Sequence, residues 1–124
     1  MILQIHAIDT VRMPSRRELR RDNVRFYRDL LKLPVAYSLC DVNTVVFRLR
    51  RCELRLEFTG AVKVNPHRLR ALFEVDDLPA AYETLAANGH QPYFHRGYSL
   101  ASRRVFVLDP TGYRIGLFQL WPLG

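Results

Sequence analysis

The sequence predicts an α+β fold made of two tandem βαβββ modules, whose curved antiparallel sheets surround a cavity. The first observation is a series of short segments in which apolar and polar residues alternate, as in half-buried strands. The second is one segment with helical spacing in each half, placed after the first strand of that half. The third is that this order occurs twice within 124 residues. We expect one domain, with module 1 at about 1–59, a linker at 60–67 and module 2 at about 68–122.

In the first half, a strand is predicted at 2–13, where Ile, Leu and Val are frequent. Ser15 is the predicted N-cap of a helix, with Glu18 three residues later in the capping-box position. The helix is expected to continue to about Lys32, before Pro34. Three further strands are then predicted, at 35–40, 44–50 and 52–58.

The second half repeats this order. A strand is predicted at 68–75, and Asp76 or Asp77 is the expected N-cap of the second helix. Gly89 occupies the left-handed position that ends many helices. Three strands follow in the prediction, at 91–98, 103–108 and 113–121. Gly116 lies inside the last of them, which indicates a bulge or the close approach of another group.

Composition excludes several classes of protein. The hydrophobic fraction of 48% and the charged fraction of 25% are ordinary for a globular domain. No apolar run approaches the roughly 18 residues of a membrane span, and the first residues do not have the pattern of a signal peptide. Cys52 alternates with Leu54, Leu56 and Phe58, which predicts a buried free thiol and therefore a cytoplasmic location.

The chain is strongly basic, with 19 Lys and Arg against 12 Asp and Glu and a net charge of +7. Such a charge suits nucleic acid, anionic metabolites or a membrane surface, or it is simply solvated. Many of the cations lie on the first helix: Arg16, Arg17, Arg20, Arg21 and Arg28. No known reading element and no aromatic residues accompany them on that face, so a solvated helix face is favoured over a nucleic-acid contact.

Four stretches carry a resemblance to a known family: "IDTVRMP", "FYRDLLKLPV", "LFEVDDLPAAYETLAANGHQP" and "VFVLDPTGYRIGLFQ". Their order and content resemble the vicinal oxygen chelate superfamily. That superfamily contains glyoxalase I, extradiol dioxygenases, fosfomycin-resistance enzymes and bleomycin-resistance proteins. The resemblance implies the paired-module fold, a ligand cavity and a homodimer. It covers most of the chain, but the superfamily has many functions, so the fold does not decide the activity.

The enzymes of this superfamily hold a divalent metal through four side chains on strands facing the cavity. Carried over, those positions fall on Thr10, Glu57, Arg70 and Gly116. Arginine stays protonated and has no acceptor, glycine has no side chain, and threonine is a weak ligand. The resemblance therefore implies a degenerate metal site, with no cofactor. A non-standard site made of Glu57, His6 and His95 is the alternative.

Strand parity identifies the side chains on the predicted cavity wall. The wall combines Arg12, Arg48, Arg55, Arg68, Arg70 and Arg114 with Glu53 and Glu57. An arginine-rich cavity favours an anionic ligand, because guanidinium binds carboxylate and phosphate in a bidentate manner. The predicted ligand-binding residues are Thr10, Arg12, Arg55, Glu57, Arg70, His95, Arg114 and Phe118. Arg70 could instead pair with Glu57 across the position of the lost metal.

Three functions are compatible with these observations. The first is a glyoxalase/bleomycin-resistance-like protein that binds a small anionic or aromatic ligand. The second is an enzyme of the superfamily: a metal-dependent lyase, dioxygenase or thiol transferase with a non-standard site, or a metal-free enzyme with Glu57 as base. The third is a module that binds nucleic acid or protein through the basic helix. The loss of three of the four ligand positions favours the first, with nucleic acid and membrane not expected as partners.

Overall fold

The computed structural model describes residues 9–60, 62–94 and 104–119. They form two three-stranded sheets, with helices between the first and second strands of each sheet. The first sheet contains β1 (Asp9–Ser15), β2 (Thr44–Arg48) and β3 (Cys52–Phe58). The second contains β4 (Leu69–Glu74), β5 (Arg104–Leu108) and β6 (Arg114–Phe118). The predicted α+β fold with two similar units is confirmed.

The two sheets have the same topology, and in one respect it differs from the prediction. β3 lies between β1 and β2, and β6 lies between β4 and β5. β2–β3 and β5–β6 are antiparallel, as expected, but β1–β3 and β4–β6 are parallel. The sheets are therefore mixed. β1 and β3, like β4 and β6, are not consecutive in the chain: a helix and one strand lie between them, and this connection is long enough to bring the two strands side by side in the same direction.

The first helical segment begins later than predicted. β1 extends to Ser15, whose Oγ lies 2.7 Å from Oγ1 of Thr111, so Ser15 is not the N-cap. The segment starts as a 3-10 turn (Arg17–Leu19), becomes the α-helix α1 (Arg20–Val24) and ends as a π-helix (Arg25–Leu30). Its end agrees with the prediction to within two residues. The wide last turns bury two consecutive rings, Phe26 and Tyr27.

The predicted strand at 35–40 is wrong. A 3-10 turn (Tyr37–Leu39) occupies its centre, and only Val35 makes a strand-like bridge, to Phe47. The Cys40 thiol explains the difference. The backbone N–H of Val46 donates to Sγ of Cys40 at 3.3 Å, so the sulfur takes a hydrogen bond that a paired strand would have accepted.

The second half agrees more closely with the prediction. The helix α2 (Leu78–Ala87) has Asp77 as its N-cap, and the Asp77 carboxylate accepts from the Ala80 N–H at 3.0 Å. Gly89 has a φ of +84°, the left-handed conformation expected after a helix. From the strand predicted at 91–98, Tyr93 bridges to Phe106. Residues 95–98 lie outside the described ranges.

One hydrophobic core joins the two halves. It contains Phe26 and Tyr27 from the first helical segment, Leu78 and Leu85 from α2, and the inward side of both sheets. The predicted inward residues of β3 are all at least 98% buried: Leu54, Leu56 and Phe58. Burying each such side chain contributes about 1.5–3 kcal/mol. The helices thus cover one face of the sheets and leave the other face open.

Most polar contacts at the seam between the halves involve the turn after β5. Oδ2 of the buried Asp109 accepts from the Tyr27 hydroxyl at 2.5 Å, and Oδ1 accepts from three backbone N–H groups of residues 111–113. The Tyr113 hydroxyl donates to the Pro14 carbonyl at 2.7 Å, across the same seam. Burial raises the pKa of Asp109 and, more strongly, that of Tyr27. The turn therefore fixes the second half against the first.

Both cysteines, Cys40 and Cys52, are free thiols, and each is partly buried. Cys52 is less buried than predicted because it lies at the start of β3, opposite Asp9. Its pKa is raised by burial and by the Asp9 charge. None of the helices in the described ranges is long and apolar enough to cross a membrane.

Candidate functional site

The open face of the first sheet, the side away from the helices, is polar. Its side chains form three rows across β1, β3 and β2, read from the strand register. The rows are Thr10–Glu53–Arg48, Arg12–Arg55–Val46 and Pro14–Glu57–Thr44. This placement agrees with the strand parity predicted for Thr10, Arg12, Arg48, Arg55 and Glu57.

The cations on this face are matched by carboxylates. Arg12 pairs with Glu57 at 3.1 Å, and the buried Glu53 accepts from Arg48 at 2.7 Å. Arg55 also lies 3.5 Å from Glu53. The hydrogen bond from Arg48 holds the pKa of the Glu53 carboxyl below its usual value, so Glu53 is charged at neutral pH. Three arginines and two carboxylates leave this face with little free positive charge.

The open face of the second sheet is apolar at its centre. Its rows are Leu69–Arg114–Leu108, Leu72–Gly116–Phe106 and Glu74–Phe118–Arg104. Gly116 leaves room for its neighbours: a Cβ there would lie 2.6 Å from Cδ1 of Leu72 and 3.3 Å from carbons of Leu69 and Phe106. The glycine accommodates three apolar side chains of its own chain, and Arg70 is not among them.

A β-bulge in β4 explains the position of Arg70. The register with β6 shifts between Leu69 and Ala71, so Arg70 has no partner in the ladder. Strand parity predicted Leu69 on the core side, but it is 43% exposed and lies on the open face. Arg70 instead donates to the main-chain carbonyl of Arg12, and its guanidinium lies 5.7 Å from the Tyr113 ring centre.

The alternative pairing of Arg70 with Glu57 is also wrong for this structure. Glu57 pairs with Arg12, and Arg70 forms no ion pair with any residue of the described ranges. Within the described residues, the positive charge of Arg70 therefore has no carboxylate partner.

The other predicted binding residues are placed as follows. Arg114 lies over the Phe106 ring at 4.5 Å and donates to the His67 carbonyl at 3.1 Å. Phe118 lies two residues from Gly116 on the same face, and in the strand register it is opposite Glu74 on β4 and Arg104 on β5. His95 lies outside the described residues, as does His6.

The four positions that the resemblance linked to a metal lie on both sheets. Thr10 and Glu57 share a face but lie two rows apart, about 13 Å along the strand direction. Arg70 is turned out of the ladder, and Gly116 is surrounded by apolar side chains. Within residues 9–60, 62–94 and 104–119, no group of three or more His, Cys, Asp or Glu side chains could hold a metal ion.

A cationic pocket lies at the start of β4, beside the apolar open face. We call it the basic pocket. It has a volume of about 380 Å³ and is lined by Lys63, Asn65, Arg68, Leu69, Arg70 and Tyr113. None of these lining residues is a carboxylate. Sequence reasoning missed Lys63 and Asn65, because residues in a linker have no periodicity that could assign them to a face.

The basic pocket can hold an anion next to an apolar group. Three cations line it, and guanidinium and ammonium groups bind carboxylate or phosphate through charge-assisted hydrogen bonds. Leu69 joins the pocket to the apolar centre of the second sheet, where Leu72 is 41% exposed. The geometry thus fits a molecule with a charged end and an apolar body.

The sequence matches no family model and no curated protein. Solved structures with a similar fold include a protein from Bacillus anthracis named as a glyoxalase family member, with a TM-score of 0.73 at 17% identity over 98% of this chain and 100% of that one. A glyoxalase/dioxygenase from Nostoc punctiforme has a TM-score of 0.71 at 14% identity, with the same coverage. TnmS3, an antibiotic-binding protein from Streptomyces, has a TM-score of 0.63 at 15% identity over 97% of this chain and all of its own.

At these identities the likeness concerns the fold, and the three structures include both glyoxalase-type proteins and a binding protein. They agree with the resemblance that the sequence motifs carry. The chain therefore has a glyoxalase-like fold.

Proposed function

We propose that this protein binds a small anionic ligand without a metal, in the basic pocket, with the apolar part of the ligand on the open face of the second sheet. The observation that carries the proposal is the convergence of Lys63, Arg68 and Arg70 around a pocket that no carboxylate lines. On the first sheet, by contrast, Glu53 and Glu57 already pair with the arginines. An anion has most to gain where cations are unmatched.

The neighbouring surface supports an organic acid over a bare inorganic anion. Leu69, Leu72 and Leu108 are each more than 40% exposed on the second open face. A ligand that covers such side chains removes apolar surface from water, which favours binding by about 25 cal/mol per Å². A carboxylate or phosphate ester with an aromatic or aliphatic body would use both the charges and the apolar surface.

The direct test is calorimetric titration with benzoate, phenyl phosphate and the uncharged benzamide. We expect the two acids to bind at least tenfold more tightly than benzamide. The Lys63→Ala/Arg68→Ala variant should lose at least tenfold in affinity, because the loss of even one charge-assisted hydrogen bond costs about 1.5–3 kcal/mol. The matched control is Arg50→Ala/Arg51→Ala, which removes two exposed cations elsewhere.

Equal binding of benzoate and benzamide, equal losses in the two double variants, or no binding of any acid at millimolar concentration would contradict the proposal. Elemental analysis of the purified protein tests the metal-free part. We expect far less than one metal ion per chain. A stoichiometric metal would favour the metal-dependent enzyme instead, and Glu57, His6 and His95 would then be the first residues to mutate.

A further inference from the structure

A second basic surface lies beside the first helical segment. A groove of about 680 Å³ runs between that segment and residues 35–45. We call it the arginine groove. Its helical wall contributes five arginines: Arg17, Arg20, Arg21, Arg25 and Arg28. It shares no lining residue with the basic pocket, so it is a separate feature.

The arginines form a row along the groove. They follow one another at intervals of one to four residues, from Arg17 to Arg28. At about 1.5 Å per residue the row is about 16 Å long. A compact anion would meet only part of such a row. A linear polyanion, with one charge per repeating unit, would meet all of it.

Most of this positive charge is uncompensated. The lining acids are Glu18 and Asp29, and Asp29 pairs with Arg28 at 2.8 Å. Two of the arginines are held by neutral groups instead. Arg20 donates to the Val42 carbonyl at 2.9 Å, and Arg25 donates to Oδ1 of Asn88 at 2.7 Å. These bonds orient the guanidinium groups and leave their charges available to an anion.

The other wall supplies the aromatic group that the arginine face of the helix lacks. Tyr37 lines the groove from the 3-10 turn Tyr37–Leu39 and is 75% exposed. Val35 and Val45 line the same wall. A charged row that tracks a backbone, together with an exposed ring on which a base can stack, is how proteins bind single-stranded nucleic acids without reading their sequence.

We propose that the arginine groove binds single-stranded nucleic acid, with the arginines on successive phosphates and the Tyr37 ring stacked on one base. A paired base cannot stack on a side chain in this way, so the occupant is a single strand.

The test is fluorescence anisotropy with a labelled 12-nucleotide oligo(dT), at several salt concentrations. Neutralising three to five phosphates predicts a slope of log affinity against log salt of about −2 to −3.5. The Arg17→Ala/Arg21→Ala variant should bind at least tenfold more weakly. Arg50→Ala/Arg51→Ala removes the same charge from exposed positions outside the groove and should change affinity less than twofold.

Tyr37 separates nucleic acid from any other polyanion. Tyr37→Ala should weaken oligo(dT) binding about fivefold or more, because stacking is worth about 1–3 kcal/mol per base. Tyr37→Phe should retain binding. Inorganic polyphosphate, measured as a competitor, should bind the wild type and Tyr37→Ala equally. Far-UV circular dichroism checks that each variant is folded.

Three results would overturn the proposal. The first is no salt-dependent binding of oligo(dT), and the second is an equal loss in the two double-arginine variants. The third is unchanged oligo(dT) affinity in Tyr37→Ala, which would reduce the groove to a general polyanion surface. Lys63→Ala/Arg68→Ala should leave oligonucleotide binding intact. The failure of this proposal and that of the basic pocket can therefore be told apart.

Discussion

The open faces of the two sheets differ in chemistry although the sheets share one topology. On the first sheet, each arginine pairs with a carboxylate in its own row, as Arg48 does with Glu53, or in a neighbouring row, as Arg12 does with Glu57. On the second sheet, the central row is Leu72–Gly116–Phe106, and the cations gather at one end of β4. The repeated backbone thus carries a self-neutralised surface in one half and a surface suited to a charged, partly apolar molecule in the other.

This difference shows what strand pairing does and does not determine. Pairing fixes which residues share a face and a row, and it is the same in both halves. The net charge of a site depends on how many acidic side chains lie next to its arginines on the same face. The β3 strand supplies two acids to its open face, Glu53 and Glu57, whereas the equivalent β6 strand supplies none. Glu53 and Glu57 therefore decide how far the arginines of the first open face are neutralised.

The largest loss of stability is expected from removing the hydrogen bonds of Asp109, at the boundary where the two halves pack together. Asp109→Ala leaves the Tyr27 hydroxyl and three backbone N–H groups without their buried acceptor. We expect a loss of about 3–4 kcal/mol in the free energy of unfolding. Urea denaturation followed by circular dichroism measures it, and Asp109→Asn, which keeps one oxygen acceptor, should lose less.

The same experiment tests whether the halves are separable. Because one core contains side chains from both, Asp109→Ala should still unfold in a single transition. Two separate transitions would show that the sheets fold as independent units. The contrast between their open faces would then belong to two domains.

A smaller effect is expected at the centre of the second open face. Gly116→Val places a side chain where Leu72, Leu69 and Phe106 already lie and should cost about 1–3 kcal/mol. In a Leu72→Ala background the closest clash, at 2.6 Å, is removed, so the cost should fall by at least half. A double-mutant cycle by urea denaturation measures this coupling. Strictly additive costs would mean that Leu72 does not fill the space above Gly116.

The smallest effect on stability is expected from Glu53→Gln, which removes one negative charge from the first open face. This change removes the carboxylate that Arg48 and Arg55 share. Stability should change by less than about 1 kcal/mol, because Arg48 is 54% exposed and the new amide keeps an oxygen that can accept its hydrogen bond. The first open face should then gain phosphate affinity, measurable by titration. Glu83→Gln on α2 is the control, and equal phosphate affinity in both variants would show that Glu53 does not mask the arginines.

Much of the fold could be predicted because its signals are local. Alternation located β3, β4, β5 and β6 to within a few residues, and Asp77 and Gly89 marked the ends of α2. The strand at 35–40 was predicted wrongly because its alternation is real, but the thiol of Cys40 offers Val46 another hydrogen bond. When a side chain accepts a hydrogen bond in place of a backbone carbonyl, the alternation of apolar and polar residues in the sequence is unchanged, so it cannot reveal the substitution of acceptor.

The site was less predictable for a related reason. Strand parity assumes that successive residues of a strand lie on alternate faces. A bulge breaks this alternation, so residues at or before it are assigned to the wrong face, as happened with Leu69 and Arg70. Strand parity placed the arginines of the first sheet on its open face, in agreement with the structure. Their pairing with Glu53 and Glu57 depends on the register between strands that are distant in the sequence. Tyr37 became relevant only when folding placed it across a groove from a helix up to 20 residues earlier in the chain.

The bond between Tyr27 and Asp109 also bears on how the chain is made. The two residues are 82 positions apart, so a ribosome working at about 5–20 residues per second needs roughly 4 to 16 seconds to reach Asp109 after Tyr27. During that interval the first helical segment has neither its carboxylate partner nor the second sheet to cover its rings. We expect the nascent first half to stay loosely packed and open to chaperones until the turn at 109–113 is made.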